Sequence, residues 1–416
     1  MKGFAGFPAV AALARLRDKY WFLPAMSAFV GLVAGIAMVA LDIAVGSDWL
    51  GRFDTLHGSR PEGARAMLST IAGSTITVAG VVFSITLAAV TYASGQHGPR
   101  LLTNFARDRG NQLTLGVFVG TYVYCLIVLR TIRSAGEEGQ APAFVPQIAV
   151  YGALLLALAS IAVLIYFFHH VTETIHINNV VARIGRKLIH TLHEQDQEKA
   201  GADPVKMVER KIGTLEADVR AARPGYVETI DHSELSELAT EHGAYIRLRC
   251  RPGDFVQIGT PLLTVVSGNA LPPKASGALR AALTIGDRRT DLQDLRFGFD
   301  ELTEIAIRAL SPGINDPFTA IACIDWLSAA LLECEKSIAP AVAEAPGLAP
   351  LVQTLPLTFS DFVAVTFGRM RQHAATEGSV KAAALAALTG LAANATSPAD
   401  TSVLLVEAAQ LERVEP

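Results

Sequence analysis

Four long stretches free of Asp, Glu, Lys and Arg dominate the first 172 residues of the chain. Residues 20–41, 66–99, 110–129 and 139–172 hold 22, 34, 20 and 34 residues without a formal charge. A bilayer core takes about 20 apolar residues as helix, so each run can cross once, and neither longer run can cross twice with a turn. In lipid the backbone must satisfy its own hydrogen bonds, and single helices do so. The apolar stretch Phe22 to Leu41 is longer than the roughly 7–15 residues of a signal-peptide core, so it reads as a span. Tyr20 and Trp21 at its start suit a membrane interface.

Charge divides the chain. Residues 1–168 carry 12 basic and 8 acidic side chains, and residues 169–416 carry 23 and 31, for net charges of +4 and −8. The acidic second part argues against nucleic acid, whose phosphates need a basic face. The four cysteines form no CxxC pair and suggest neither a disulfide framework nor a zinc site. Ten basic residues (Lys2, Arg15, Arg17, Lys19, Arg100, Arg107, Arg109, Arg183, Arg186, Lys187) fall on one side of the four spans. Arg52, Arg60, Arg65 and Arg133 fall on the other, with Arg130 at a helix end. The positive-inside rule then places both termini and the second half in the cytoplasm.

The second run carries the most information. Thr70, Gly73, Ser74, Thr77, Gly80, Val81, Ser84, Ala88 and Thr91 share an arc of about 120° on a helix, with Ile76, Phe83, Leu87 and Val90 opposite. Small and hydroxyl residues serve either close helix packing or the lining of a wet path. As a pore, the stripe of Thr70, Ser74, Thr77, Ser84 and Thr91 would need several copies of the chain. Its cytoplasmic mouth would hold His97 and Arg100, the arginine favouring anions. The run contains no charged residue of the kind that proton-coupled transporters use. Asp42 near the outer end of the first run reads as a hydrated helix-end acid.

His169, Glu173 and His176 stand at i, i+4 and i+7, and Glu173 to His176 has the Glu-x-x-His spacing of carboxylate-bridged metal helices. A single copy leaves two readings open, a polar helix end and a metal site. No Gly or Pro interrupts the sequence before Gly185, so the fourth helix is expected to run on past them.

Beyond a polar connector the pattern becomes β-like. Arg223 to Asp231, a turn and then a strand, and the strand Ala244 to Arg249 flank a helical turn at Ser233–Glu241, and within Arg251 to Val265 two Gly-containing turns bracket a four-residue strand that a second strand follows. The segment Gly253-Asp-Phe-Val-Gln-Ile-Gly-Thr-Pro-Leu262 resembles the hairpin of lipoyl- and biotinyl-like barrel-sandwich domains. The attachment lysine which that resemblance would imply is missing, because the corresponding place reads Asp231-His232-Ser233. From Asp287 the pattern is helical, with Leu292, Leu295, Phe299, Leu302, Ala306 and Ala309 expected on one face of a helix from Asp291 to Leu310. Asp316 and Pro317 suit a helix start, as do Ser379 and Ser397-Pro398.

Ser311-Pro-Gly-Ile-Asn-Asp-Pro-Phe-Thr-Ala320, together with Gln293-Asp294, Phe297-Gly298 and His97-Gly-Pro-Arg-Leu-Leu102, carries a broader resemblance. The chain resembles an uncharacterised bacterial family of predicted inner-membrane proteins, a domain of unknown function. The resemblance implies a membrane topology and no activity.

The expected architecture is a membrane domain of four transmembrane helices (1–170), a helical connector (171–222), a β-rich barrel-sandwich-like module (223–270) and a helical cytoplasmic domain (271–416). The expected function is a homo-oligomeric channel in the bacterial inner membrane, its partners being the lipid bilayer, further copies of itself and small ions. A membrane-anchored scaffold or sensor is the alternative, and a metalloenzyme using His169, Glu173 and His176 a second. Motifs for nucleotide, serine-hydrolase and zinc-protease chemistry are absent, so the sequence implies no cofactor and points away from an enzyme.

Overall fold

The computed structural model describes residues 20–45, 60–97, 108–134, 143–201, 207–209, 215–337 and 348–415. The chain divides into two compact units, residues 1–176 and 177–416.

Among the described residues the first unit has four long helices: α1 (Phe22–Val45), α2 (Pro61–His97), α3 (Arg109–Thr131) and α4 (Gln147–Ile175). Glycines set the contact between α1 and α3. A Cβ on Gly31 would stand 2.3 Å from the carbonyl oxygen of Gly120, and one on Gly116 would stand 2.6 Å from Ser27 Oγ. Gly31/Gly35 and Gly116/Gly120 both have the small-xxx-small spacing that lets membrane helices approach backbone to backbone. Large apolar side chains on the outside, such as Phe29, Ile43, Leu155 and Ile165, are exposed and suit a lipid surround.

α4 is shorter than the sequence suggests. It stops at Ile175, His176 is extended (φ −61, ψ 118), and α5 (Ile177–Gly201) begins beyond it. The β-branched residues Val171, Thr172, Thr174, Ile175 and Ile177 crowd this junction and weaken its helix preference.

The second unit is mixed α and β. Its strands are β1 (Met207–Glu209), β2 (Leu215–Arg220), β3 (Gly225–Ile230), β4 (Ala244–Leu248), β5 (Phe255–Val256), β6 (Pro261–Ser267), β7 (Leu283–Gly286), β8 (Leu348–Pro350) and β9 (Val352–Gln353). They make sheets of order β2-β6-β4-β9, β5-β3-β7 and β1-β8. All pairs are antiparallel except β4 with β9. The hairpin turns lie where expected, with Gly253 and Gly259 at φ +90 and +84. The barrel-sandwich expectation needs correction: the sheets are open, and no barrel closes among the described residues. Short strands from outside the segment 223–270, β2, β7 and β9, complete these sheets instead.

Helices α6 (His232–Glu241) and α7 (Pro273–Ala281) accompany the sheets, and α8 (Arg296–Ala309) follows them. The expected helix from Asp291 therefore starts five residues late, and Leu292 is exposed rather than on its buried face. α9 (Pro317–Ser337), α10 (Phe359–Val363), a π-helical turn at Ala364–Gly368, α11 (Arg369–Ala375), α12 (Gly378–Asn394) and α13 (Pro398–Arg413) complete the unit. Asp316 caps α9 by accepting from Thr319 N at 3.1 Å, and Ser397 caps α13.

By length and apolarity five described helices could cross a membrane, one more than the four uncharged runs: α1 to α4 and also α9. Asp325 divides the apolar stretch of α9 and hid it from a search for uncharged runs. One face of α9 is buried against α5, α8 and α12, and the Trp326 ring lies where a Cβ on Gly185 of α5 would fall.

Gly253 offers a sharp test of the β-unit. A side chain there would combine a left-handed backbone with a Cβ only 2.0 Å from Asp294 Oδ2. Gly253→Val should cost about 2 kcal/mol or more, seen as a lower thermal midpoint of the purified protein. An unchanged midpoint would contradict the described turn.

Candidate functional site

The hydroxyl stripe of α2 points away from the rest of the first unit. Leu68, Ile71, Thr75, Ala79, Val82 and Thr86 form the buried face of this helix, while Thr70, Ser74, Thr77, Ser84 and Thr91 are exposed. The two sets lie on opposite sides at 100° per residue. A Cβ added to Gly73 or Gly80 would meet no atom within 4 Å. The stripe is thus not used to pack α2 against its own bundle. Four of its hydroxyl protons are returned to the helix: Thr70, Thr77 and Ser84 donate to the carbonyls of Ala66, Gly73 and Gly80 at 2.8, 2.8 and 2.9 Å, and Ser74 donates to Ile71 at 3.0 Å. Such back-bonding removes the donor and leaves acceptor oxygens facing outward. His97 is the last residue of α2; its side chain and Arg100 lie outside the described residues.

Two carboxylates fasten the bundle at helix starts. Asp42, near the end of α1, is buried and accepts from Ile148 N and Ala149 N at 2.9 Å each. It therefore occupies the N-terminus of α4, where free amide donors and the helix dipole both favour an anion. The expectation of a hydrated acid there is corrected: the helix-end position is right, but the partners are backbone amides rather than water. Tyr124 adds a 2.9 Å bond to Ala149 O. Asp108 likewise caps α3, accepting from Gly110 N at 2.8 Å, and meets His170 Nε2 at 2.8 Å. The His170 ring stacks on Tyr166, 5.3 Å between centroids.

The three candidate metal ligands are not gathered into a site. His169 Nε2 and Glu173 Oε1 are 3.3 Å apart on the exposed surface of α4, and His176 lies past the end of that helix. Among the described residues, no three His, Cys, Asp or Glu side chains cluster as a metal would require.

The second unit has a buried ionic joint. Asp294 and Asp300 are almost wholly enclosed. Arg289 reaches both, donating from Nε to Asp294 at 2.9 Å and from Nη1 to Asp300 at 2.6 Å, and Arg369 of α11 also pairs with Asp300. Arg296 links Asp294 to Asp254 of the β-hairpin, 2.8 Å from its Oδ1. Burial alone would lower the Arg289 pKa, but the bonds and charges of Asp294 and Asp300 outweigh it and raise it above the usual value. Gln293 clamps the end of β3 through Ile230 N, at 2.8 Å, and Ile230 O, at 3.2 Å.

These contacts give physical meaning to the short motifs of the sequence. A family described as a predicted membrane protein, DUF2254, matches residues 17–390. The chain belongs to this family. Uncharacterised proteins of Mycobacterium bovis and Mycobacterium tuberculosis are each 32% identical to it over 422 residues, covering 97% of this chain and 78% of theirs. No solved structure matches the chain. In this DUF2254 protein, Gln293-Asp294 holds the β-unit to α8, and Gly298 lets α8 approach Leu188 of α5, where a Cβ would stand 3.0 Å away. Asn315-Asp316 shapes the turn into α9, with Asn315 at φ 49 and Asp316 as its cap, so this pair has a structural duty.

Sequence reading missed the partners of Asp42 and Asp108, which lie far along the chain. It also passed over the Gly31/Gly35 and Gly116/Gly120 spacings, a signal that was available. Asp42→Ala should leave two amides of α4 without their charged acceptor and lower stability by about 2–4 kcal/mol. Thermal unfolding in detergent checks this, and a loss below about 0.5 kcal/mol, the scale of an ordinary surface substitution, would remove Asp42 from its clamping role.

Proposed function

We propose that this membrane protein is the subunit of a homo-oligomeric pore in the bacterial inner membrane, with α2 nearest the symmetry axis. The supporting observation is the outward stripe of α2. It combines small residues, acceptor oxygens and open space on the side opposite the buried face of the helix. Lipid gains nothing from such a surface, whereas a second copy of α2 gains close approach. Several copies around an axis would turn the stripes toward one another and line a path with oxygens. In this reading α1 to α4 cross the membrane, α9 belongs to the core of the second unit, and both termini are cytoplasmic. A reporter enzyme fused after Pro416 should then be active only in the cytoplasm; periplasmic activity would reverse the orientation.

One observation favours a second reading, a membrane-anchored scaffold without conduction. Because the hydroxyl protons bond back into the helix, the same stripes can meet dry. Conductance in planar bilayers, joined to cysteine accessibility, separates the two. All four native cysteines are buried, and burial raises the Cys250 thiol to about 12, so the background labelling should be low. In a pore, Thr77→Cys and Ser84→Cys react with a small charged thiol reagent and the current changes. Unreactive cysteines and a purified protein that carries no current would leave the scaffold reading. A current unaffected by Thr77→Trp would place the path elsewhere.

A further inference from the structure

A groove in the second unit carries two arginines although the surrounding unit is acidic. It has a volume of about 300 Å³ and is lined by Ala222, Arg223, Gly277, Arg280, Ala281 and the strand residues Leu283–Ile285. That volume lies at the lower end of small-ligand pockets, about 300–1,000 Å³. Its room comes from short side chains. Gly277 and Ala281 are one turn apart on α7, and a Cβ on Gly277 would meet no atom within 4 Å. Leu283 and Ile285 supply an apolar floor.

The arginines set the chemistry. Three partly enclosed arginines of this unit meet carboxylates: Arg289 meets Asp294 and Asp300, Arg296 meets Asp254, and Arg371 meets Glu407, whereas Arg280 is partly enclosed and Arg223 exposed at the groove. Arg223 and Arg280 bond instead to backbone carbonyls, Arg223 to Ile285 O and Arg280 Nε to Arg220 O at 2.8 Å. Among the described residues no carboxylate stands within 4.0 Å of either guanidinium. Carbonyls fix the direction of the side chains without cancelling their charge. The position of Arg280 in the last turn of α7 also complements the helix dipole, but that accounts for one arginine and not for the groove between two. Guanidinium is the natural partner of phosphate, and two of them match a phosphate monoester carrying a charge of about −1.5 to −2.

We propose that this groove binds a phosphate monoester carried on a short apolar chain, with Arg223 and Arg280 holding the phosphate and Leu283 and Ile285 contacting the chain. The chemistry is shared by an anionic lipid and by a free organic phosphate. The proposal stands whether or not the membrane unit conducts.

The test uses the full chain in nanodiscs of zwitterionic lipid, titrated with octyl phosphate by calorimetry. Saturable binding is expected, weakened at least tenfold by the double variant Arg223→Gln/Arg280→Gln and by Gly277→Leu, which fills the groove. The thermal midpoint should not fall, since the glycine site is open and leucine favours helix. If the arginine variants unfold early, the wild-type protein decides: octyl phosphate should bind at least tenfold more tightly than octanol and weaken as salt rises. Absence of saturable binding, equal binding of phosphate and alcohol, or full affinity in a stable double variant would overturn the proposal. Nanodiscs containing phosphatidic acid identify the source. Competition that weakens octyl phosphate tenfold supports a lipid occupant, and unchanged affinity supports a free organic phosphate.

Discussion

Hydrocarbon supplies no hydrogen-bond partner, and the first unit is arranged around that shortage. Every helix begins with amide donors that its own turns cannot use. Two of these helices, α3 and α4, meet the need with a carboxylate, and a carboxylate in turn needs donors if it is to be buried with its charge. Asp42 solves both problems at once. It comes from α1 and closes the first turn of α4, so one interaction satisfies a buried acid, caps a helix and joins two segments over 100 residues apart. Asp108 caps its own helix and takes His170 from α4. With α4 fastened by these two acids, α1 and α3 can cross at glycines, where close contact replaces the hydrophobic drive that lipid does not provide.

The second unit meets the same cost with arginine. Asp294 and Asp300 are removed from water, which is expensive for unpaired carboxylates and weak evidence of net stability even when they are paired. Their geometry shows what they specify. Arg296 ties Asp294 to the Asp254 hairpin, and Arg369 ties Asp300 to the C-terminal helices. Strand, helix and C-terminal layer thus share one ionic centre, and displacement of any layer would strand a charge. Gly253 allows the hairpin to reach this centre because it leaves Asp294 the space that a side chain would take.

How much of this was legible in the sequence depends on the reach of each signal. Charge-free runs, caps such as Asp316 before Pro317, and positive-φ glycines at 253 and 259 are local, and reading them along the chain places them well. Sheet completion is not local. β4 finds β9 more than 100 residues later, and β7 pairs with β3 across the intervening helices α6 and α7 and the strands β4 to β6. No alternation within two- to four-residue strands can announce such partners. The same limit concealed Asp42, because an acid at a helix end looks alike whether water or a distant amide awaits it. For α2 the periodicity identified the stripe but not its direction. Only the buried set on the opposite side distinguishes a face turned inward from one turned outward.

That direction bears on how copies of α2 would meet in the proposed assembly. Thr70, Thr77, Ser84 and Thr91 recur every seven residues. At a rise of 1.5 Å per residue, successive members stand about 10 Å apart along the helix. An ideal helix drifts by about 20° per heptad, so straight parallel copies would carry the lower hydroxyls away from a shared axis. A left-handed supercoil cancels the drift and keeps all four levels facing inward, with Gly73 and Gly80 at the closest approach. The levels of Thr70, Thr77 and Ser84 would then present rings of hydroxyl oxygens whose protons are already committed to the helix backbone. Such rings accept hydrogen bonds and attract positive charge weakly, so the interior of this path would prefer cations. The anion preference expected from Arg100 could act only at its mouth, outside the span.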